Sequence, residues 1–320
     1  MNTTTLTDIA KALESADYFV ILTHQYPDGD TVGSAYALCR ALQKLGKHAR
    51  IIINGSLDRK FEFLKNHFKE ESFTYKTVVA VDIATTQLLG DLKPEFENII
   101  DISIDHHASN TDFAKLSYVN SKAAANAENI YELIKILGTD FDKDMANAVY
   151  TGICTDTGCF KFTNVTSATM RISADLMDMG CDSAEINRVM FDTKSMARIR
   201  MERAVLESLT LHSNGKIAVI NTSLAMEKET GVGDTDMDGL ASIPRQIEGV
   251  VIGITIKEKG YKRFRVSIRS IGDYDASRIA ACFEGGGHHA AAGCTVCGEL
   301  SDVKERIVSA AQAELDRVGV

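Results

Sequence analysis

Apolar runs alternate with segments of helical period along the first 183 residues. The apolar runs, which predict β-strands, lie at 18–23, 49–53, 77–82, 98–104 and 118–119. The segments of helical period lie at 7–16, 32–45, 128–137, 143–151 and 166–179. Strands that alternate with helices in this way predict an α/β fold with a doubly wound, mainly parallel sheet.

The second half of the chain has a different pattern. The spacing at 184–212 is helical, which predicts a linker helix between a domain at 1–183 and a smaller α/β domain at 213–320. The predicted elements of that smaller domain are strands at 216–220, 250–256 and 261–270, and helices at 276–283 and 303–318. Along 261–270, Phe264, Val266 and Ile268 share one face, whereas Arg263, Arg265 and Arg269 share the other.

Length and charge limit the kind of protein this can be. A chain of 320 residues favours two domains, since single cores stop growing at about 250–300 residues. The net charge of −9 argues against a protein that coats long duplex nucleic acid, because such binding requires a broad basic surface. A short anionic substrate remains compatible, since it needs only a local cluster of arginine, histidine and metal.

Several features indicate a cytoplasmic protein with reduced cysteines. The 7 cysteines have no disulfide-framework spacing, and the pair at Cys294 and Cys297 is more simply explained by small residues in a strand than by a zinc site. The first residues lack a signal-peptide pattern, and no apolar run reaches the roughly 18 residues of a membrane span. We therefore expect no membrane association and no obligate protein partner.

Metal-type ligands follow three of the predicted strands and one predicted helix. They are His24, Asp28, Asp30, Asp82, His106 and Asp156. Because the carboxyl ends of parallel strands lie at one edge of a sheet, these side chains are expected to converge there. Four carboxylates and two imidazoles are too many for one tetrahedral zinc ion, and they suit a pair of Mn²⁺ or Mg²⁺ ions. Two such ions support phosphoester hydrolysis.

Five motifs together carry a family resemblance. They are the His24–Asp30 segment with Gly33 and Ser34, the isolated Asp82, the Asp105-His106-His107 triplet, Asp156-Thr157-Gly158, and Gly285-Gly286-Gly287-His288 followed by Ala291-Ala292-Gly293. In this order they resemble the DHH/DHHA1 phosphoesterases over nearly the whole chain. Among these, the two-domain length is most similar to the bifunctional oligoribonucleases, or nanoRNases, which also dephosphorylate adenosine 3′,5′-bisphosphate.

The resemblance implies roles for individual residues. One Mn²⁺ would take His24, Asp28 and Asp82, and the other would take Asp30, Asp82, His106 and Asp156. His107 and Asp82 would be catalytic. His107 would donate a hydrogen bond to a phosphate or leaving oxygen, with Asp105 as its support, and Asp82 would be a carboxylate shared by the two ions. The DHHA1 domain, across a cleft, would bind substrate through Arg269, Gly285, Gly286, Gly287 and His288. A helix N-terminus after the glycines would favour a phosphate there.

The chain departs from the usual family pattern at two positions that bear on the sites. Tyr26 stands where an asparagine is common, and Glu284 precedes the glycines where a fourth glycine is common. Neither change removes a ligand. Glu284 does bring a negative charge next to an expected anion site.

The expected activity is hydrolysis of short oligoribonucleotides to mononucleotides, and of adenosine 3′,5′-bisphosphate to AMP. The alternative enzyme is a cyclic-dinucleotide or linear-dinucleotide phosphodiesterase of the same superfamily. An alternative from another class is a catalytically silent nucleotide-binding regulator, which predicts missing ligands. All six ligands are present.

Overall fold

The computed structural model describes residues 4–233, 237 and 239–319. Within it the chain divides into two compact units, one ending at Thr193 and the other beginning at Lys194. The first unit contains a sheet of five strands, all parallel, and the second a mixed sheet of six. The predicted α/β fold with a doubly wound parallel sheet is confirmed.

The strands of the first unit are β1 (Phe19–Leu22), β2 (Ala49–Ile52), β3 (Thr77–Val81), β4 (Ile102–Asp105) and β5 (Leu116–Val119). Their order in the sheet is β2-β1-β3-β4-β5. The chain leaves β1 toward one side of the sheet and resumes on the other side with β3. In open α/β sheets, ligands bind beyond the carboxyl ends of the strands at such a reversal of order.

The helices of this unit are α1 (Leu6–Ser15), α2 (Gly29–Lys44), α3 (Lys93–Phe96), α4 (Asn126–Ile136), α5 (Lys143–Asp156), α6 (Ser167–Asp178) and α7 (Ser183–Asn187). Short 3₁₀ helices cover Arg59–Lys65 and Thr86–Leu92. Apolar side chains of α1, α2, α4 and α5 cover one face of the sheet, and those of the Thr86–Leu92 segment and α3 cover part of the other. Both faces are therefore buried, as the near-continuous apolar strands predicted.

Two helices differ from their predicted limits in ways that affect the site. Helix α2 begins at Gly29 rather than 32, because the carboxylate of Asp28 caps it by accepting the backbone N–H groups of Asp30 and Thr31. Helix α5 continues five residues past its predicted end at 151, so that Asp156 lies in its last turn. Both metal-type carboxylates, Asp30 and Asp156, are thus held on helices.

The prediction of a single linker helix over 184–212 is wrong. After α7 the chain forms a π-helical turn at Arg188–Asp192 and becomes extended at Thr193. The side chain of Ser195 then starts a new helix, α8 (Met196–Glu207), by accepting the N–H of Arg198. Strand β6 (Thr210–His212) follows.

The remaining elements of the second unit are β7 (Ile217–Thr222), α9 (Leu224–Thr230), β8 (Ile252–Gly260), β9 (Arg263–Ser270), α10 (Ala276–Ala281), β10 (Gly286–His288), β11 (Ala291–Cys297) and α11 (Leu300–Val318). Two 3₁₀ turns at Leu240–Ser242 and Pro244–Gln246 precede β8. The sheet order is β10-β11-β9-β8-β7-β6, in which β7 and β8 are parallel and the other pairs antiparallel. Cys294 and Cys297 lie in β11, as predicted.

The alternation predicted for β9 is present. Phe264, Val266 and Ile268 are buried with α10 and α11 in the core of the second unit, whereas Arg263 and Arg265 are exposed on the opposite face. Among the described residues, no helix combines the length and apolar character needed to cross a bilayer.

Candidate active site

Three strand ends of the first unit bring polar side chains to one place. His24 lies just beyond β1, Asp82 directly follows β3, and His106 directly follows β4. Asp82 is 2% exposed, and the two histidine side chains are also largely covered. The hydroxyl of Thr31 in α2 donates to the carbonyl of Val81, which ties the first turn of that helix to the end of β3.

The carboxylate of Asp82 faces both histidines. Its Oδ2 lies 3.7 Å from Nε2 of His24, and its Oδ1 lies 3.4 Å from Nε2 of His106. The Oδ1 atom is buried without a hydrogen-bond partner among the described residues. Buried polar atoms nearly always have a partner, so a carboxylate oxygen without a hydrogen bond here indicates a position that binds a cation.

The donors form two groups that share no residue, and a third group, Asp82, His106 and His107, overlaps both. One consists of His24, Asp28 and Asp82, in which Nε2 of His24 is 3.5 Å from Oδ1 of Asp28. The other consists of Asp30, His106 and Asp156, in which Nε2 of His106 lies 3.7 and 3.6 Å from the carboxylates of Asp30 and Asp156. Within each group the ligand atoms lie within 4.8 Å of one another.

These residues fit a pair of divalent ions. The donors are carboxylate oxygens and imidazole nitrogens with no thiolate, which is the ligand set of Mn²⁺ and Mg²⁺ sites rather than of structural zinc. The two oxygens of the buried Asp82 carboxylate face one histidine each, Oδ2 toward His24 and Oδ1 toward His106. The structure brings all six residues predicted as ligands together, but it groups Asp82 with His106 and His107 and not with Asp30 and Asp156. The division into two ion sites stays a prediction.

Crowding of acids and histidines shifts their protonation in the metal-free site. Burial alone would lower the pKa of His24. The hydrogen bond to Asp28 and the charges of Asp28 and Asp82 outweigh burial and raise that pKa to about 9. Burial and the charge of Asp156 raise the pKa of Asp30 to about 7. Burial and the charges of Asp30 and Asp28 raise the pKa of Asp82 as well. Protons therefore occupy positions that cations would otherwise take.

Asp30 also holds a helix in place. Its two carboxylate oxygens accept the backbone N–H groups of Asn126 and Ala127 at 2.6 and 2.8 Å. These are N–H groups of the first turn of α4, whose own N-cap residue, Ala125, supplies no side-chain acceptor. The carboxylate of Asp30 therefore acts as the cap from another helix. No pattern in the sequence links positions 30 and 126.

The ring of His107 is held by an acid outside the ligand set. Its Nδ1 lies 2.8 Å from Oδ1 of the fully buried Asp105. The other oxygen of Asp105 accepts from the side-chain amide of Asn110 at 2.7 Å. The hydrogen bond to Asp105 raises the pKa of His107. Asn110, which sequence reasoning missed, lies in a polar loop where no hydrophobic pattern distinguishes it.

The predicted substrate residues of the second unit lie on its sheet. Gly286, Gly287 and His288 form strand β10 at the edge of that sheet, paired with 291–293. The helix N-terminus expected after the glycines is wrong, because α10 ends before them and the backbone continues from the glycines into the β10–β11 hairpin. An anion near these glycines would meet an edge strand instead of a helix end.

Arg269 lies on β9, on the face opposite the core. Ala291 of β11 is directly opposite both Arg269 and His288, so that the two side chains share one face of the sheet. Burial and the charge of Arg245 lower the pKa of the Arg269 guanidinium. Gly285, Gly286, Gly287, His288 and Arg269 thus belong to one region of the second unit.

Family models match both halves of the chain. The model described as "DHH family, N-terminal domain" matches residues 18–153, and the model described as "DHHA1 domain" matches residues 216–316. The first match includes five of the six predicted metal ligands, and the second includes all five predicted substrate residues.

Similar proteins and structures cover nearly the full length. A protein of Thermus thermophilus named bifunctional oligoribonuclease and PAP phosphatase NrnA is 34% identical over 98% of this chain and 94% of its own. A protein of Bacillus subtilis with the same name is 25% identical over 91% of this chain and 93% of its own. The crystal structure of an exopolyphosphatase-related protein from Bacteroides fragilis, 23% identical, has a TM-score of 0.85 and covers 98% of both chains.

Proposed function

Because the chain belongs to the DHH family and carries a DHHA1 domain, we propose that it is a metal-dependent phosphoesterase of short nucleotides. It would hydrolyse short oligoribonucleotides to mononucleotides and adenosine 3′,5′-bisphosphate to AMP. The names of the Thermus and Bacillus relatives describe both activities for those proteins. The observation that carries the proposal is Asp82, whose two oxygens face the histidines of two separate ligand groups.

The residues that would hold the ions are divided as the family resemblance implies. His24, Asp28 and Asp82 would bind one, and Asp30, His106 and Asp156, which form a second group, would bind the other together with Asp82. When bound, two divalent ions supply Lewis-acid activation of the phosphate and of a water molecule. We propose Mn²⁺ because the site mixes imidazole with carboxylate, whereas Mg²⁺ is bound chiefly through oxygen.

His107 would act on the oxygens of the reacting phosphate. Hydrolysis adds water across the P–O ester bond, so that negative charge develops on the non-bridging oxygens and the leaving oxygen must gain a proton. The Nδ1–H of His107 is directed to Asp105, which leaves Nε2 to donate to one of these oxygens. Asp105 fixes the orientation of the ring and favours its protonated form.

Substrate binding would use the sheet of the second unit. Arg269 supplies a guanidinium that can bind a phosphate in bidentate fashion, and Gly285, Gly286, Gly287 and His288 supply backbone N–H groups and an imidazole. Small positively charged patches suit a chain whose net charge is −9, because a long polyanion would be repelled by most of the surface. Short single-stranded RNA and nucleotide bisphosphates are therefore the proposed substrates.

The experiment that tests this proposal compares four substrates in Mn²⁺. They are a 5′-phosphorylated diribonucleotide, adenosine 3′,5′-bisphosphate, a cyclic dinucleotide and a long single strand. We expect rapid hydrolysis of the first two, its loss in Asp82→Ala, and its retention in Asp178→Ala, which changes an exposed aspartate at the end of α6. Preference for the cyclic or long substrate would contradict the substrate assignment, and tight binding without turnover of any substrate would indicate a regulator.

A further inference from the structure

One row of residues crosses the sheet of the second unit on the face opposite the core that α10 and α11 cover. His288 is paired with Ala291, Ala291 with Arg269, and Arg269 with Gly253 on β8. Residues directly opposite each other in neighbouring strands point to the same face, with Cβ atoms about 5 Å apart. The Arg269 side chain therefore has Ala291 on one side, with His288 one strand beyond it, and on the other side a residue without a side chain.

A 3₁₀ turn fills the space over Gly253. A Cβ atom at that position would lie 3.0 Å from the backbone nitrogen of Arg245 and 3.1 Å from Cβ of Pro244. Because glycine has no Cβ, the Pro244–Gln246 turn can lie directly against β8. This close approach brings Arg245 next to Arg269, although the two are 24 positions apart in the sequence.

The two arginines bring two like charges close together. Among the residues that the structure describes, neither guanidinium has a carboxylate within ion-pair distance; the Arg269 guanidinium donates only to the carbonyl of Ile268, at 3.2 Å. Arg269 is half-buried, and Arg245 is exposed. Burial, and after it the charge of Arg245, lowers the pKa of the Arg269 guanidinium. Two adjacent guanidinium groups repel each other, and a bound anion would relieve that repulsion.

We propose that Arg245 and Arg269 together bind the terminal 5′-phosphate of a short nucleotide. A terminal phosphate carries close to two negative charges at neutral pH and three acceptor oxygens, whereas an internal phosphodiester carries one charge. Two guanidinium groups match the former in charge, and their planar N–H pairs match it in geometry. The inference rests on the proposed function and adds Arg245 as a residue that selects 5′-phosphorylated substrates.

Equilibrium binding without turnover tests the proposal directly. We would titrate the full-length protein with AMP and with adenosine by calorimetry in EDTA, so that neither metal binding nor hydrolysis contributes. We expect AMP to bind more tightly than adenosine, and Arg245→Gln to weaken AMP binding about 10–100-fold without changing adenosine binding, since hydrogen bonds between charged groups are the strong ones. Inorganic phosphate should compete with AMP in the wild type.

Two further variants make the result interpretable. Arg263→Gln removes an exposed arginine from the same strand and face as Arg269, and should leave AMP binding unchanged. Arg245→Lys keeps the charge but loses the paired N–H groups, and should restore part of the affinity. Equal binding of AMP and adenosine by the wild type, or an Arg245→Gln variant that binds AMP as the wild type does, would overturn the proposal.

Kinetics separates this proposal from the proposed function. In Mn²⁺, Arg245→Gln should raise KM about 10–100-fold for a 5′-phosphorylated dinucleotide and leave KM unchanged for its 5′-hydroxyl counterpart. An equal rise in KM for both would show that Arg245 does not read the 5′-phosphate. Absence of turnover with intact AMP binding would contradict the proposed function and leave the phosphate site established.

Discussion

The Nδ1 atom of His107 lies 2.8 Å from Oδ1 of Asp105, a carboxylate with no exposed surface. Burial alone would raise the pKa of Asp105, but its hydrogen bonds from His107, Asn110 and the N–H of His106 lower it. Asp105 therefore stays ionised beside the imidazole. Since its other oxygen is bound by Asn110, the carboxylate can hold the ring in only one orientation.

Asp105→Asn should lower kcat about 10–100-fold, the usual cost of removing the carboxylate that orients a functional histidine. The variant loses the charge that raises the pKa of His107, so that activity should be lost at a lower pH than in the wild type. The pH profiles of kcat and kcat/KM check this. Asn110→Ala, which keeps the charge, should lower kcat without moving the profile. A profile unchanged in Asp105→Asn would exclude an electrostatic role for Asp105.

Asp82→Asn should abolish hydrolysis and stabilise the metal-free protein. The Asp82 carboxylate is buried among other acids, and its backbone has a φ of 59°, which asparagine tolerates better than most residues. Removal of the charge should raise the free energy of unfolding by about 1–2 kcal/mol at pH 8. Urea denaturation in EDTA measures it.

The control for this effect is Asp101→Asn. Asp101 lies outside the site, where it pairs with Lys115 and accepts the N–H of Val78. Loss of the Asp101 charge should lower the free energy of unfolding, because the ion pair with Lys115 and the hydrogen bond from Val78 both favour the charged carboxylate. If Asp82→Asn were destabilising by as much as Asp101→Asn, the view that the acid cluster is strained without cations would be incorrect.

The stability of the metal-free protein should fall as pH rises from about 4 to 9. The folded protein binds a proton on Asp30 more tightly than the unfolded chain does, because the pKa of Asp30 is about 7 in the folded state against 3.8 in the unfolded state. The stabilisation that this proton provides is therefore lost as the pH rises from 3.8 to about 7. His24, with a pKa of about 9 against 6.5, adds a loss of the same sign at higher pH.

Divalent ions should reverse this trend. Binding of Mn²⁺ releases the protons held by these groups, so the increase in Tm on adding MnCl₂ should be larger at pH 8 than at pH 6. Thermal denaturation across the pH range, with EDTA or MnCl₂, measures both effects. A metal-free Tm that rises with pH over this range would contradict the assigned shifts.

Much of this arrangement could be predicted from the sequence because its determinants are local. The metal-type residues come shortly after apolar runs or a helical segment, and the order of strands and helices then brings them to one edge of the sheet. The family resemblance read from the five motifs is confirmed by both family models. The alternation along β9 likewise depends only on neighbouring residues.

The predictions that were wrong, and the features that were missed, depend on interactions between residues that are distant in the sequence. Three glycines with a helical pattern nearby suggested a helix N-terminus, but Gly286 and Gly287 lie in the edge strand β10, which pairs with β11 on one side. The helical spacing over 184–212 did not reveal the break at Thr193. Nothing in the sequence indicated that the cap of α4 would come from Asp30, or that Gly253 would bring Arg245 to Arg269.

Gly286→Ala should separate substrate binding from folding in the glycine segment. A Cβ at Gly286 would meet no atom within 4 Å, so the variant should fold normally. If substrate approaches the backbone here, the added methyl group should raise KM about tenfold or more. Gly287→Ala is the contrasting variant, since φ there is 147° and a Cβ would lie 2.6 Å from the carbonyl of Ala291. It should lower the Tm. Unchanged KM in Gly286→Ala would remove that glycine from the substrate site.

Replacing Tyr26 by asparagine and Glu284 by glycine should each stabilise the protein. The chain departs from the usual family pattern at these two positions, and both residues have left-handed backbones, with φ of 58° and 57°. Residues with a side chain are strained in this region, whereas glycine, and to a lesser degree asparagine, are tolerated there. Because the Tyr26 side chain is 84% exposed, its loss should cost little packing.

We expect each change to add about 0.5–1 kcal/mol to the free energy of unfolding, after the larger backbone entropy of an unfolded glycine is allowed for. Tyr18→Asn is a demanding control, because Tyr18 also has a positive φ, of 57°, but its ring stacks on His48. That variant should be destabilised by the lost packing. Urea denaturation of the three variants in EDTA tests the argument, and destabilisation by both Tyr26→Asn and Glu284→Gly would show that these side chains contribute more through their contacts than they cost through the backbone.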